Sequence, residues 1–221
     1  MFQLILDWSE MWALIIPLVT YYFHRHQPGY FRVILVYLWI AFILNSAGDL
    51  IGDFKRYLPD WMQSNLILYA IHSISRFVCF AYFFFLIKQS HFLRLRRVLP
   101  FLYLLFVIAN YIFLEDYLDQ NHLSGNLFTI EAYFLLIYCL LYYLSELRDE
   151  VKSFGDDQTF WIVTGLSIYV VINFFIFLFY VPLISENASL AEKMWSIHNV
   201  AYIILCLSIT KAMYVPVRPI Y

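Results

Sequence analysis

The sequence has little charge and few cysteines. Only 14% of its 221 residues are Asp, Glu, Lys or Arg, whereas about a quarter of the residues of a soluble domain are charged. The basic residues are scattered over several connecting segments and form no patch, which excludes a nucleic-acid partner. The three cysteines, Cys79, Cys139 and Cys206, lie in separate apolar stretches, which excludes a disulfide framework and a cysteine metal knuckle.

In place of charge, the sequence has long apolar stretches. It is 63% hydrophobic and 21% aromatic, with a mean hydropathy of +0.71. A helix needs about 20 apolar residues to cross a hydrocarbon core of about 30 Å. Seven stretches are close to that length: 4–24, 30–52, 62–88, 98–114, 125–146, 158–183 and 193–214. The sequence therefore predicts an all-α protein with one domain, residues 1–221, built as a bundle of seven transmembrane helices in the lipid bilayer.

The first stretch has no basic segment before it and no small-residue cleavage site after it, so we expect a retained helix and not a signal peptide. Lys and Arg concentrate in the odd-numbered connectors, and the third connector holds four of them: Lys88, Arg94, Arg96 and Arg97. Because short cytoplasmic loops are rich in Lys and Arg, we expect a multi-pass protein of the cell membrane. Its N-terminus is predicted outside and its C-terminus in the cytoplasm. Four tryptophans then lie near the outer interface: Trp8, Trp12, Trp61 and Trp195.

Polar side chains recur on one face of several predicted helices. Two stripes have helical i, i+3, i+4, i+7 spacing: Tyr69, His72, Ser73 and Arg76, and Trp195, His198, Asn199 and Tyr202. Asp49 and Glu131 lie at a similar depth when about 1.5 Å per residue is counted from the outer helix ends. Ionisable groups are costly against lipid, so these faces are expected to converge inside the bundle. The sequence thus predicts a polar chamber that opens outward.

Such a chamber favours a receptor or sensor module. Eight residues are predicted to bind its ligand: His72, Arg76, Asp49, Glu131, His198, Asn199, Tyr69 and Tyr202. Arg76 would hold an anionic group of a small ligand, with Asp49 and Glu131 as counter-ions, or the histidines would make the site a proton sensor. A cytoplasmic or membrane signalling partner would read the helix movement. A transporter and a purely structural subunit remain alternatives, the latter because paired charges also serve structure alone.

A second hypothesis uses metal chemistry. His72, His198, Glu131 and Asp49 are suitable zinc ligands, and zinc with an open position activates water. This set resembles the superfamily of seven-helix ceramidases and adiponectin-type receptors, which hold zinc between helices and look for an HxxxH pair on the last helix. Here His198 is followed four residues later by Tyr202, so the resemblance covers the architecture and one ligand. It implies a zinc-dependent intramembrane hydrolase.

Other functions are disfavoured by specific residues. Many transporters have interrupted helices at equivalent positions of two halves, but here only Pro17 lies well inside an apolar stretch. Lys211 has the chemistry to bind retinal, yet it lies about 27 Å from the outer end of its helix, where a lysine reaches the interface.

Gly48 and Gly52 form a GxxxG motif, which predicts close approach by another helix. Whether the sequon at Asn187 is glycosylated stays open.

Overall fold

The computed structural model describes residues 6, 8–59, 62–87, 89, 91–115, 123–148, 155 and 157–215. Within these residues there are seven α-helices and no strand, which confirms the predicted all-α class. The helices are α1 (Ser9–Phe23), α2 (Phe31–Phe54), α3 (Leu66–Leu86), α4 (Leu93–Phe113), α5 (Gly125–Arg148), α6 (Gln158–Glu186) and α7 (Ala188–Tyr214). A single 3-10 turn, Lys55–Tyr57, follows α2.

Two helices begin five residues earlier than the apolar pattern predicts. α4 begins at Leu93 and includes three arginines that the pattern left out, because arginine is a good helix former despite its charge. α7 begins at Ala188 because the side chain of Asn187 accepts a hydrogen bond from the Leu190 N–H at 3.1 Å and caps the helix. Asn187 is therefore the single residue between α6 and α7.

Six helices, α2 to α7, are long and apolar enough to cross a membrane, so the protein is a helical membrane protein. The described part of α1 has 15 residues. At 1.5 Å per residue it reaches about 22 Å, which is less than the hydrocarbon core of about 30 Å. The predicted first stretch, 4–24, also includes residues 4, 5 and 7, which lie outside the described residues, as do Lys88 and Trp61.

Six of the helices form a closed ring. The order of neighbours is α1, α2, α3, α5, α6 and α7, and α7 packs back against α1. α4 lies outside this ring and packs against α3 and α5. The centre of the protein is therefore lined by side chains from six helices, while one side of α4 faces the lipid.

Glycine allows the closest helix contact, though not at the predicted position. α6 and α7 share the most extensive contact of any helix pair. A Cβ atom placed on Gly165 would lie 2.8 Å from the hydroxyl oxygen of Ser208, so only glycine fits there. At Gly52 nothing lies within 4 Å, and at Gly48 the nearest atoms belong to the Asn65 side chain at 4.0 Å. No described helix of this chain makes the close approach that the GxxxG motif predicts.

Candidate functional site: a buried polar network

A buried ion pair joins α3 to α5 at the centre of the ring. The Nε and Nη2 atoms of Arg76 donate to the two carboxylate oxygens of Glu131 at 2.6 and 2.7 Å. The two side chains are 8% and 1% exposed. The hydroxyl of Ser73, one turn before Arg76 on α3, donates to the same carboxylate at 2.6 Å. Two parallel, charge-assisted bonds of this kind are among the strongest that side chains make.

The remaining guanidinium nitrogen binds α6. Arg76 Nη1 donates to the hydroxyl of Tyr169 at 2.6 Å, and that tyrosine is fully buried. The predicted anionic partner of Arg76 is therefore present within the chain, as Glu131. Asp49, predicted as a second counter-ion, is not among the hydrogen-bond partners of Arg76 and does not line the central cavity.

A second cluster is centred on His198 and joins α1, α6 and α7. The Nε2 atom of His198 lies 3.1 Å from a carboxylate oxygen of Glu10, and its Nδ1 atom bonds the side-chain oxygen of Asn173. The amide nitrogen of Asn173 donates to the Tyr169 carbonyl at 2.8 Å, which fixes the orientation of the amide. Because an amide oxygen only accepts, Nδ1 of His198 is the donor in that bond.

Aromatic side chains surround these two clusters. The hydroxyl of Tyr37 donates to that of Tyr202 at 3.5 Å, which links α2 to α7. The ring of His72 lies between these two tyrosines, with centroid distances of 6.1 and 6.5 Å. Its Nε2 atom is buried and has no hydrogen-bond partner among the described residues. Tyr69 packs edge-on against Trp195 at 5.8 Å.

The clusters meet around one small cavity. Its walls are formed by Glu10, Tyr69, His72, Arg76, Phe128, Tyr169, Phe177, Trp195, His198 and Tyr202. The volume is about 20 Å³, enough for about one water molecule and far below the roughly 300 to 1,000 Å³ of small-molecule sites. Five of the eight predicted site residues line this cavity, and Glu131 lies behind them. Asn199 lies outside the lining, where its amide donates to the Leu6 carbonyl at 2.9 Å.

The four candidate zinc ligands do not assemble. Among the described residues, no three His, Cys, Asp or Glu side chains are placed to hold one metal ion. Both oxygens of Glu131 are engaged by Arg76, and His198 bonds Glu10 and Asn173. A guanidinium at the centre would also repel a cation, so these four side chains do not form a zinc centre in this conformation.

Five members of the network are not among the predicted site residues: Glu10, Tyr37, Ser73, Tyr169 and Asn173. Tyr169 precedes Asn173 by four residues on α6, and this spacing placed both on one helix face. No local pattern distinguishes Tyr37 from the other tyrosines, because the chain has 19 of them and a tyrosine is compatible with most positions of a membrane helix.

Comparisons with known proteins supply no relative. No family model matches this chain, and neither a curated protein nor a solved structure matches it. The function is therefore argued from the polar network itself.

Proposed function

We propose that this protein is a multi-pass sensor module of the cell membrane that responds to protons and acts through a partner protein. The observation that carries this proposal is the position of His198, which bridges α1 to α6 beside a cavity of about 20 Å³. A cavity of that size admits water or a proton but excludes an organic anion. Histidine is the side chain that changes charge in the physiological pH range.

The hydrogen bonds around His198 define how a proton acts. Nδ1 carries the hydrogen of its bond to Asn173, because the amide oxygen is an acceptor. The bond between Nε2 and Glu10 then needs one more proton, on either the imidazole or the carboxyl group. Loss of that proton leaves a nitrogen lone pair facing a carboxylate. The contact becomes repulsive, and α1 loses its polar link to α7.

The charges of Arg76 and Glu131 beside the cavity neutralise each other. Arg76 faces it from α3 together with His72, and Glu131 on α5 neutralises the guanidinium. Tyr169 and Tyr202 contribute neutral hydroxyl groups from α6 and α7. Besides the imidazole of His72, the pair of His198 and Glu10 is therefore the element at this cavity whose net charge a single proton changes.

We also propose that α1 crosses the membrane in addition to α2 to α7, which gives seven spans, with the N-terminus outside. Its sequence is apolar, and it completes the ring between α2 and α7. The described arginines in the odd-numbered connectors or at the helix ends beside them then lie on the cytoplasmic side: Arg25, Arg32, Arg94, Arg96, Arg97 and Arg148. In this orientation His198 and Glu10 lie towards the outer surface, and the partner contacts the arginine-rich end.

Double electron–electron resonance between two spin labels tests the proposal. Phe23 on α1 and Leu147 on α5 are 74% and 66% exposed and are replaced by labelled cysteines. The native cysteines are buried and are replaced by alanine. We expect the distance distribution to change between about pH 5 and about pH 8 in this otherwise unchanged protein. His198→Gln removes the change, whereas His26→Gln, at an exposed position beside the label, retains it.

The possible results separate the hypotheses. A distance distribution that is the same at both pH values contradicts proton sensing and leaves a structural polar core. A change that persists in His198→Gln assigns the response to another group and contradicts the role given to this histidine.

A further inference from the structure

A second cavity lies on the outside of the ring, between α3 and α4. It has a volume of about 560 Å³, and its walls include Ile74 and Phe85 on α3 and Arg96, Arg97, Pro100 and Val107 on α4. Phe101 is 72% exposed and Phe85 is 61% exposed, so the groove opens towards the lipid. Its volume falls within the range of small-molecule sites, roughly 300 to 1,000 Å³.

The length of the groove matches one leaflet of a bilayer. On α4 the lining extends from Arg96 to Val107, which is about 16 Å at 1.5 Å per residue. On α3 it extends from Ile74 to Phe85, or about 16 Å. Half of a hydrocarbon core of about 30 Å is about 15 Å. The groove therefore has the dimensions to hold one acyl chain alongside the protein.

One end of the groove carries an incompletely paired guanidinium. Arg96 is 7% exposed, and its Nη1 atom donates to the side-chain oxygen of Gln89. Its Nε atom is buried and has no hydrogen-bond partner in the part of the chain that the structure describes; the same holds for the amide nitrogen of Gln89. No described carboxylate forms an ion pair with Arg96 or Arg97. A buried charge of this kind is costly unless an anion accompanies it.

The backbone adds to the positive potential at this end. α4 begins here with no side-chain cap and no acidic residue in its first turn, so its N–H groups and helix dipole add to the arginine charges. The hydroxyl of Tyr138 on α5 donates to the Arg96 carbonyl at 2.9 Å, which fixes this residue against the ring. The cationic end of the groove is thus held in place by α5.

We propose that this groove binds one anionic phospholipid of the surrounding bilayer. Its phosphate is held by Arg96 and Arg97, and one acyl chain lies along the apolar walls from Pro100 to Val107. The guanidinium group suits this role because its planar donors match a phosphate in geometry and charge. Arginine clusters beside membrane helices are a known form of anionic-lipid recognition. This site is separate from the polar network and independent of proton sensing.

Native mass spectrometry of the delipidated full-length protein, titrated with phosphatidylglycerol, tests the headgroup site. We expect one bound lipid per chain, and at least about tenfold weaker binding of phosphatidylcholine. Arg96→Gln is expected to weaken phosphatidylglycerol binding about tenfold or more. Arg94→Gln is the matched control, since Arg94 lies exposed in the same turn but does not line the groove.

A second pair of variants tests the acyl-chain path without touching charge. Leu104 lines the groove, and the neighbouring Leu105 faces lipid elsewhere on α4. Leu104→Trp fills the groove and is expected to remove the bound lipid, whereas Leu105→Trp retains it. Equal binding of the two lipids, or equal binding by the variants and their controls, would show adventitious annular lipid only and overturn the proposal. A dimer in place of a lipid-bound monomer would overturn it as well.

Discussion

Replacing Glu131 by Gln tests the polar network most directly. The carboxylate accepts three hydrogen bonds, two from Arg76 and one from Ser73, at 2.6 to 2.7 Å. The variant keeps the shape but removes the charge, and it leaves the guanidinium buried beside an amide. Removing one partner of a buried ion pair costs about 3 to 5 kcal/mol. We therefore expect a loss of that size, a large fraction of the total stability of a typical domain, about 5 to 15 kcal/mol.

The assay is equilibrium unfolding in mixed micelles by added denaturing detergent, followed by far-ultraviolet circular dichroism. Glu192→Gln is the matched control, because it is the same substitution at an exposed position on α7. We expect that control to lie within about 0.5 kcal/mol of the unaltered protein.

A double variant isolates the pair. Arg76→Met combined with Glu131→Leu removes both charges and leaves apolar side chains of similar length. Because apolar pairs often replace buried ion pairs at little cost, the double variant is expected to be more stable than Glu131→Gln. A loss of less than about 1 kcal/mol in Glu131→Gln would refute the reasoning, since it would mean that the carboxylate and guanidinium are not desolvated in the folded protein.

Further predictions concern the surroundings of this pair. Tyr169→Phe leaves Arg76 Nη1 without its acceptor and is expected to cost about 1 to 3 kcal/mol in the same unfolding assay. Gly165→Ala overpacks the contact of α6 with α7 and is expected to cost about 1 to 3 kcal/mol, whereas Gly52→Ala, in open space, is neutral or stabilising. Elemental analysis of the purified protein should find no stoichiometric zinc. About one zinc per chain, lost in His198→Ala, would instead support the hydrolase hypothesis.

The sequence alone determined the number and approximate limits of the helices. The thickness of the hydrocarbon core fixes the length of an apolar helix, and a helix satisfies its own backbone hydrogen bonds locally. Helical periodicity is also local, so the sequence places the polar residues of α3 on one helix face and those of α7 on another. The apolar pattern places the starts of α4 and α7 too late. The first turn of α4 is rich in arginine, and α7 begins at a capping Asn187, and neither feature is apolar.

Only the tertiary structure decided which groups meet. Several carboxylates lay at a suitable depth for Arg76, and the order and rotation of the helices selected Glu131 over Asp49. The same packing placed Tyr169 against the guanidinium and reduced the predicted chamber to about 20 Å³. It also put α4 outside the ring, which creates the groove at Arg96. These features depend on contacts between segments far apart in the chain, and no local pattern of residues encodes such contacts.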